Sequence, residues 1–153
     1  MSLLEVKDLT IAFRQDGALK SCVHGVTFTV DRGETVALVG ESGSGKSITA
    51  LSTVSLLGGS AVVTGSVLYD GQQMIGADDR RLRQVRGNDI SFIFQEPMTS
   101  LNPLHTLEKQ LSESLALHQG LSGDAARTRI LELLKRVGIR DAESRLGAYP
   151  HQL

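Results

Sequence analysis

The chain has 153 residues, 41% of them hydrophobic and 22% charged, and 16 Lys and Arg against 17 Asp and Glu leave a formal net charge of −1. This is the length of one ordinary domain and the composition of a globular chain rather than a disordered or collagen-like one. The charge balance speaks against a stand-alone nucleic-acid binder, which needs a basic surface, while the lone Cys22 and four scattered histidines offer neither an internal disulfide nor a zinc-ligand pattern.

The opening residues MSLLEVKDLT carry Glu5 and Asp8 and no long apolar stretch, so no secretory leader is expected. Leu4, Val6, Leu9 and Ile11 predict a strand, followed by a polar turn at Gln15-Asp16-Gly17. Val26, Phe28 and Val30 alternate with Thr27 and Thr29, the period of a half-buried strand. Asp31-Arg32-Gly33-Glu34 reads as a hairpin turn into the unbroken apolar run Thr35-Val36-Ala37-Leu38-Val39, which predicts a strand covered on both faces in a parallel sheet. A helix is predicted over 46–57, stopped by Gly58-Gly59. The charge-free run between Lys46 and Asp70 is long enough to span a membrane, but Ser, Thr and Gly interrupt it, and no span is expected.

A further strand is predicted over 65–69 with a turn at Asp70-Gly71, then a short helix from Asp78 or Asp79 to Gly87. Ile90-Ser91-Phe92-Ile93-Phe94 reads as a second buried strand, and Pro97 and Pro103 mark a loop or broken helix after it. Helices are predicted over 107–117 and 125–137, the second capped by Ser122 or Asp124, ended by Gly138, and packed through Ile130, Leu131, Leu134 and Val137. The order of elements predicts an α/β core with a small antiparallel sheet on its N-terminal side.

Gly40-Glu41-Ser42-Gly43-Ser44-Gly45-Lys46-Ser47 satisfies G-x-x-x-x-G-K-[ST], directly after an apolar run and directly before a helix. Gly43 and Gly45 lack a Cβ, so the backbone can bend until its N–H groups surround phosphate oxygens. The start of the helix adds the positive end of its dipole. Lys46 supplies a full charge to the terminal phosphates, and the Ser47 hydroxyl is placed to ligate Mg²⁺. A Rossmann fingerprint fits less well, because Ile48 stands where Gly or Ala is needed and no acidic residue follows about 20 positions on. The cradle alone leaves kinases, GTPases, helicases and transporter ATPases open, although no Asn-Lys-x-Asp guanine-reading element occurs.

The downstream residues narrow this. Phe92-Ile93-Phe94-Gln95-Glu96-Pro97-Met98-Thr99-Ser100-Leu101-Asn102-Pro103 resembles the Q-loop of ATP-binding-cassette (ABC) transporter subunits, and more narrowly that of the peptide/nickel uptake branch. Ala148-Tyr149-Pro150-His151-Gln152-Leu153 is similar to the lead into that family's signature loop, and both LEVKDLTIAF and the run from Gly40 through Ile48 to Thr49 are similar to the same branch. The resemblance covers essentially the whole chain, in register.

The resemblance implies a P-loop NTPase (ABC ATPase) core with an N-terminal antiparallel β-subdomain, and ATP and Mg²⁺ as cofactors. It places Gly40, Glu41, Ser42, Gly43, Ser44, Gly45, Lys46, Ser47 and Ile48 around the nucleotide, Lys46 and Gln95 in catalytic roles, and Ser47 and Gln95 at the metal. A glutamine suits that role because it offers a donor and an acceptor without charge. Phe13 is the candidate for stacking on adenine, with an ordinary core role as the alternative. Residues 97–103 would lie near the groove that receives a permease's coupling helix. The parent would be the ATP-binding subunit of an importer for peptides or related solutes, peripheral on the cytoplasmic face of the membrane. Its partners would be permease subunits, a second ATP-binding subunit in a head-to-tail dimer and, indirectly, a solute-binding protein, with no nucleic acid.

Leu153 falls at the start of the signature loop. The family's Walker B aspartate, catalytic glutamate and switch histidine have no counterpart: Asp89 precedes its strand and Asp70 lies in a turn. Residues 1–153 are therefore expected to be the N-terminal part of one nucleotide-binding domain, incomplete at the C-terminus. By themselves they are expected to bind nucleotide without turnover. The remaining alternative is an ABC-type ATPase of DNA maintenance. The roughly 37 residues between Ser47 and Val85 are too few for the coiled-coil or zinc insertion such proteins carry. Arg80, Arg81, Arg83 and Arg86 read as a solvated helix face and Cys22 as a small buried side chain.

Overall fold

A computed structural model describes residues 2–96 and 100–153. The chain divides into two compact units, the first ending at Arg86 and the second running Gly87–Leu153.

The first unit is built on a four-stranded antiparallel sheet of β1 (Ser2–Gln15), β2 (Ala18–Asp31), β3 (Ala61–Tyr69) and β4 (Gln72–Gln73), in the spatial order β2-β1-β3-β4. Two Asp-Gly turns make its hairpins. Asp16 (φ 50) and Gly17 (φ 78) join Gln15 to its partner Ala18, and Asp70 (φ 49) and Gly71 (φ 78) join Tyr69 to Gln72. Positive φ at both central residues is the twist-matched hairpin turn that Asp-Gly favours. The register slips between Lys7 and Thr10 of β1, where Asp8 takes φ 49. Gly65 of β3 stands opposite this bulge with φ 103, and any Cβ there would run into the Asp8 carbonyl. The side chains buried in this unit include Val6, Leu9, Ile11, Val23, Val54, Val67, Met74, Leu82 and Val85, an aliphatic core.

Helix α1 (Lys46–Ser52) is shorter than the predicted 46–57. It closes before the glycines because Ser55 adopts φ 55. The Leu56 amide donates to Leu51 O at 3.1 Å and the Ser55 amide to Ser52 O at 3.2 Å, the paired reverse bonds of a left-handed helix stop. Helix α2 (Asp79–Val85) matches its prediction, with the Asp78 carboxylate accepting from the Arg81 amide at 2.8 Å.

The two predicted parallel strands are not formed. Residues 34–40 and 91–94 carry no strand assignment, and no described strand pairs with them. Val39 is 88% exposed, and Ile93 is fully exposed. The reason is physical: a strand buried on both faces exists only when neighbours take its amides and cover it. The run 35–39 has the apolar composition of such a strand, but the turn at Asp31–Glu34 leads into a segment without regular structure rather than a hairpin partner.

The second unit is helical, with α3 (Leu107–Gln119), α4 (Gly123–Arg136) and the short α5 (Ala142–Arg145), which the sequence reading did not foresee. Leu107, Leu115, Ala126, Ile130, Leu134, Ala142 and Leu146 form its core. Val137, predicted to face that core, is exposed beyond the helix end. Gly138 (φ 83) stops α4 as predicted, with the Ile139 amide on Leu134 O at 2.9 Å. Thr106 Oγ1 accepts from the Lys109 amide at 3.3 Å, and the carbonyls of Ala148 and Leu146 accept from Leu107 and Glu108. The orphan amides of α3 are thus met by one side chain and by the segment after α5. Among the described residues no helix is long and apolar enough to cross a membrane.

Candidate functional site

The G-x-x-x-x-G-K-S run lies between the irregular segment after β2 and the first turn of α1. Two left-handed glycines, Gly43 (φ 81) and Gly45 (φ 94), fold it back on itself, and the Ser44 amide donates to Glu41 O at 3.1 Å. Lys46, the first residue of α1, reaches over the turn. Its ammonium donates to the Gly40 carbonyl, to Glu41 O at 2.9 Å and to Ser44 Oγ at 3.4 Å. Among the described residues no carboxylate pairs with it, so its charge is held by neutral oxygens alone.

Gly45 is also the N-cap of α1. It has no side chain to accept from the first amides, and the first turn contains no acidic residue. The Thr49 amide and hydroxyl both return to Gly45 O, at 2.9 and 2.7 Å. The amides of Lys46, Ser47 and Ile48 therefore have no acceptor within the helix. Unpaired amides, a helix start and an ammonium without a counter-charge form a donor set that fits a polyphosphate, whose oxygens accept in several directions. The exposed Ser47 hydroxyl beside them is a hard oxygen of the kind Mg²⁺ accepts. Among the described residues no group of three His, Cys, Asp or Glu is placed to hold a metal.

The strand β2 backs the loop. A Cβ on Gly45 would stand 2.9 Å from Val23 Cγ2 and 3.3 Å from Cys22 O. The sequence reading missed both residues as parts of the site, since only hairpin formation brings them there. Cys22 itself is half-buried, its thiol 3.8 Å from Lys20 O. Phe13 lies on β1, half-buried, opposite Lys20 of β2 and Ala61 of β3. Two residues before it, Ile11 pairs with Val23. Phe13 is thus about 7 Å along the strand from the position whose partner touches Gly45.

Gln95 belongs to the second unit and is exposed, following the unpaired segment in which the Phe92 and Phe94 rings stack with centroids 5.9 Å apart. Of the segment 97–103, residues 97–99 lie outside the described residues. Its later part is tied to α3 by Gln110, a residue with no sequence signal for the role. Gln110 Oε1 accepts from the Asn102 amide at 2.8 Å, and its Nε2 donates to Asn102 O at 2.8 Å and His105 O at 3.0 Å. The arginines of α2 are not one solvated face. Arg83 is exposed, but Arg86 bonds carbonyls at the end of α1, and Arg81 Nε is buried.

Residues 23–153 match the family model described as ABC transporter. The chain is 58% identical over 153 residues to the peptidoglycan transport ATP-binding protein YejF of Agrobacterium fabrum (strain C58 / ATCC 33970), covering 99% of this chain and 28% of that protein. It is 47% identical over 152 residues to a putative peptide import ATP-binding protein of Brucella abortus (strain 2308), covering 99% of this chain and 46% of that one. The chain thus spans between about a quarter and a half of the length of these relatives. Among solved structures, the ATP-binding cassette MJ0796, in a dimeric post-hydrolysis state bound to ADP and Pi, is similar with a TM-score of 0.82 and 28% identity, over 98% of this chain and 62% of that one.

Proposed function

We propose a function from one premise: this chain belongs to the ABC transporter family. The protein of which these residues are part is an ATP-binding subunit that binds and hydrolyses ATP to drive uptake of peptides or related solutes through a membrane permease. It works at the inner face of the membrane, as one of a pair of such subunits. The reading of the solute is supported by relatives named for peptide import and peptidoglycan transport, and that of the pair by the dimeric state of a similar cassette.

The observation that carries the reading is the Lys46 ammonium, seated within the turn 40–45 on carbonyl oxygens and, among the described residues, facing no carboxylate. In the proposed role Lys46 leaves those carbonyls for the terminal phosphates, and the amides from Gly43 to Ile48 bind the oxygens behind them. Glu41, Ser42 and Ser44 shape the turn, and Gly40 leaves room for the Ser44 side chain, which a Cβ there would meet. Ser47 offers its hydroxyl to Mg²⁺, which when bound neutralises charge on the phosphates. Gln95 orients water or the metal through its amide, and Phe13 covers the adenine.

The test is uptake. Vesicles containing the full-length protein and its permease, supplied with a short peptide and magnesium ATP, are compared with the same assembly carrying Lys46→Ala. Loss of ATP-dependent uptake is expected, and undiminished uptake overturns the reading.

A further inference from the structure

The Arg86 side chain donates two hydrogen bonds to the end of the helix that begins at the phosphate loop. Its Nε reaches Val54 O at 2.9 Å and its Nη2 reaches Ser55 O at 2.8 Å. Neither oxygen belongs to its own helix. They lie on the turn that stops α1, directly after the reverse bonds made by Ser55 and Leu56. The last carbonyls of α1 itself are met locally, Ala50 O by the Thr53 amide, Leu51 O by Val54 and Leu56, and Ser52 O by Ser55. The carbonyls of Val54 and Ser55, in the turn just beyond, instead receive the planar fork of Arg86, the residue after α2.

The consequence follows from the length of α1. It has only seven residues, too few for a helix to hold itself in water. Its order must come from what grips it. The N-terminal side of the grip is the packing of Gly45 on Val23, the middle is the burial of Thr49 and Ser52, and the C-terminal side is Arg86 with Ser55, whose hydroxyl donates to Met74 O at 3.4 Å. Arg86 is itself firmly rooted, because the adjacent Val85 and nearby Leu82 are buried. The loop 40–45 and the first amides of α1 can present a fixed set of donors only if α1 does not slide or fray.

We propose that Arg86 is a positioning residue for the phosphate-binding loop: by clasping the carbonyls of Val54 and Ser55 it holds α1 in place, and through α1 the amides and the ammonium that receive a nucleotide's phosphates. This rests on the reading that residues 40–48 bind nucleotide. Arg86 touches no phosphate. It sets how well ordered the donors are before the phosphates arrive, and so acts on affinity.

The experiment uses the full-length protein with magnesium ATP, measuring the dissociation constant by calorimetry and KM and kcat by phosphate release. Four variants are compared: Arg86→Gln, Arg86→Lys, Arg83→Gln as an exposed control on α2, and Lys46→Ala. Losing charged hydrogen bonds of this kind is expected to raise the dissociation constant and KM about tenfold in Arg86→Gln. Arg86→Lys, which keeps the charge but not the fork, is expected to recover part of the loss, and Arg83→Gln to match wild type. A variant that merely left some molecules unfolded would lower kcat in proportion at unchanged KM. If Arg86→Gln and Arg86→Lys both keep wild-type affinity and KM while Lys46→Ala loses binding, the role of Arg86 is overturned and the nucleotide site stands. If Lys46→Ala also binds like wild type, the nucleotide reading itself falls and the role of Arg86 falls with it.

Discussion

Gly45 rests against Val23 so closely that a single added carbon at its Cα would stand 2.9 Å from Val23 Cγ2. One residue of the turn 40–45 is thereby fixed against the second strand of the sheet, at φ 94. Gly45→Ala faces both a conformation that L side chains resist and a contact that cannot be relieved by a flexible tip. We expect a stability loss of about 1–3 kcal/mol and at least a tenfold loss of nucleotide affinity. Thermal unfolding and calorimetric titration of the full-length variant check this. An Ala variant that binds as tightly as wild type would mean that the turn does not need its left-handed step.

Phe13 separates two roles by the ligand used. Stacking on a base acts on ATP and not on inorganic triphosphate, whereas support of the hairpin acts on both. Phe13→Ala is expected to weaken ATP binding several-fold while leaving triphosphate binding unchanged. Equal losses for the two ligands would assign Phe13 to the core between Lys20 and Ala61.

Thr106 caps α3 through its hydroxyl at 3.3 Å from the Lys109 amide. Thr106→Ala is expected to cost about 1 kcal/mol, felt first in the opening of the α3 N-terminus. Hydrogen exchange at Lys109 and its neighbours reads this locally, and unchanged protection there would show that the carbonyls of Leu146 and Ala148 suffice as the cap.

Glu132 is held below the ordinary carboxylate range. The hydrogen bond from Arg129 is the main cause, followed by the charge of Arg129, with a smaller share from Arg136. A carboxyl whose folded pKa is depressed contributes stability at neutral pH and loses it as pH falls through its folded pKa. Glu132→Gln is therefore expected to flatten slightly the fall in unfolding midpoint on acidification. The site is exposed, so the difference should disappear in about 1 M salt. A difference that persists at high salt would contradict this origin.

The amino-acid sequence by itself determined the local geometry. Asp16-Gly17 and Asp70-Gly71 demanded left-handed hairpin turns, the aliphatic periodicity of 125–137 placed Ile130 and Leu134 in a helical core, and the glycines of 40–47 folded that run into a turn whose carbonyl oxygens Lys46 reaches. These are interactions between residues close in the chain, where spacing and side-chain type already set the outcome. Tertiary structure decided the rest. The runs 35–39 and 90–94 have the composition of buried strands, but a strand is made by its neighbours, and no described strand lies against them. Val23 behind Gly45, Arg86 on the end of α1 and Gln110 on the Asn102 backbone join positions 8 to 32 residues apart. No periodicity encodes such pairs, because their energy appears only once the chain has closed the distance between them.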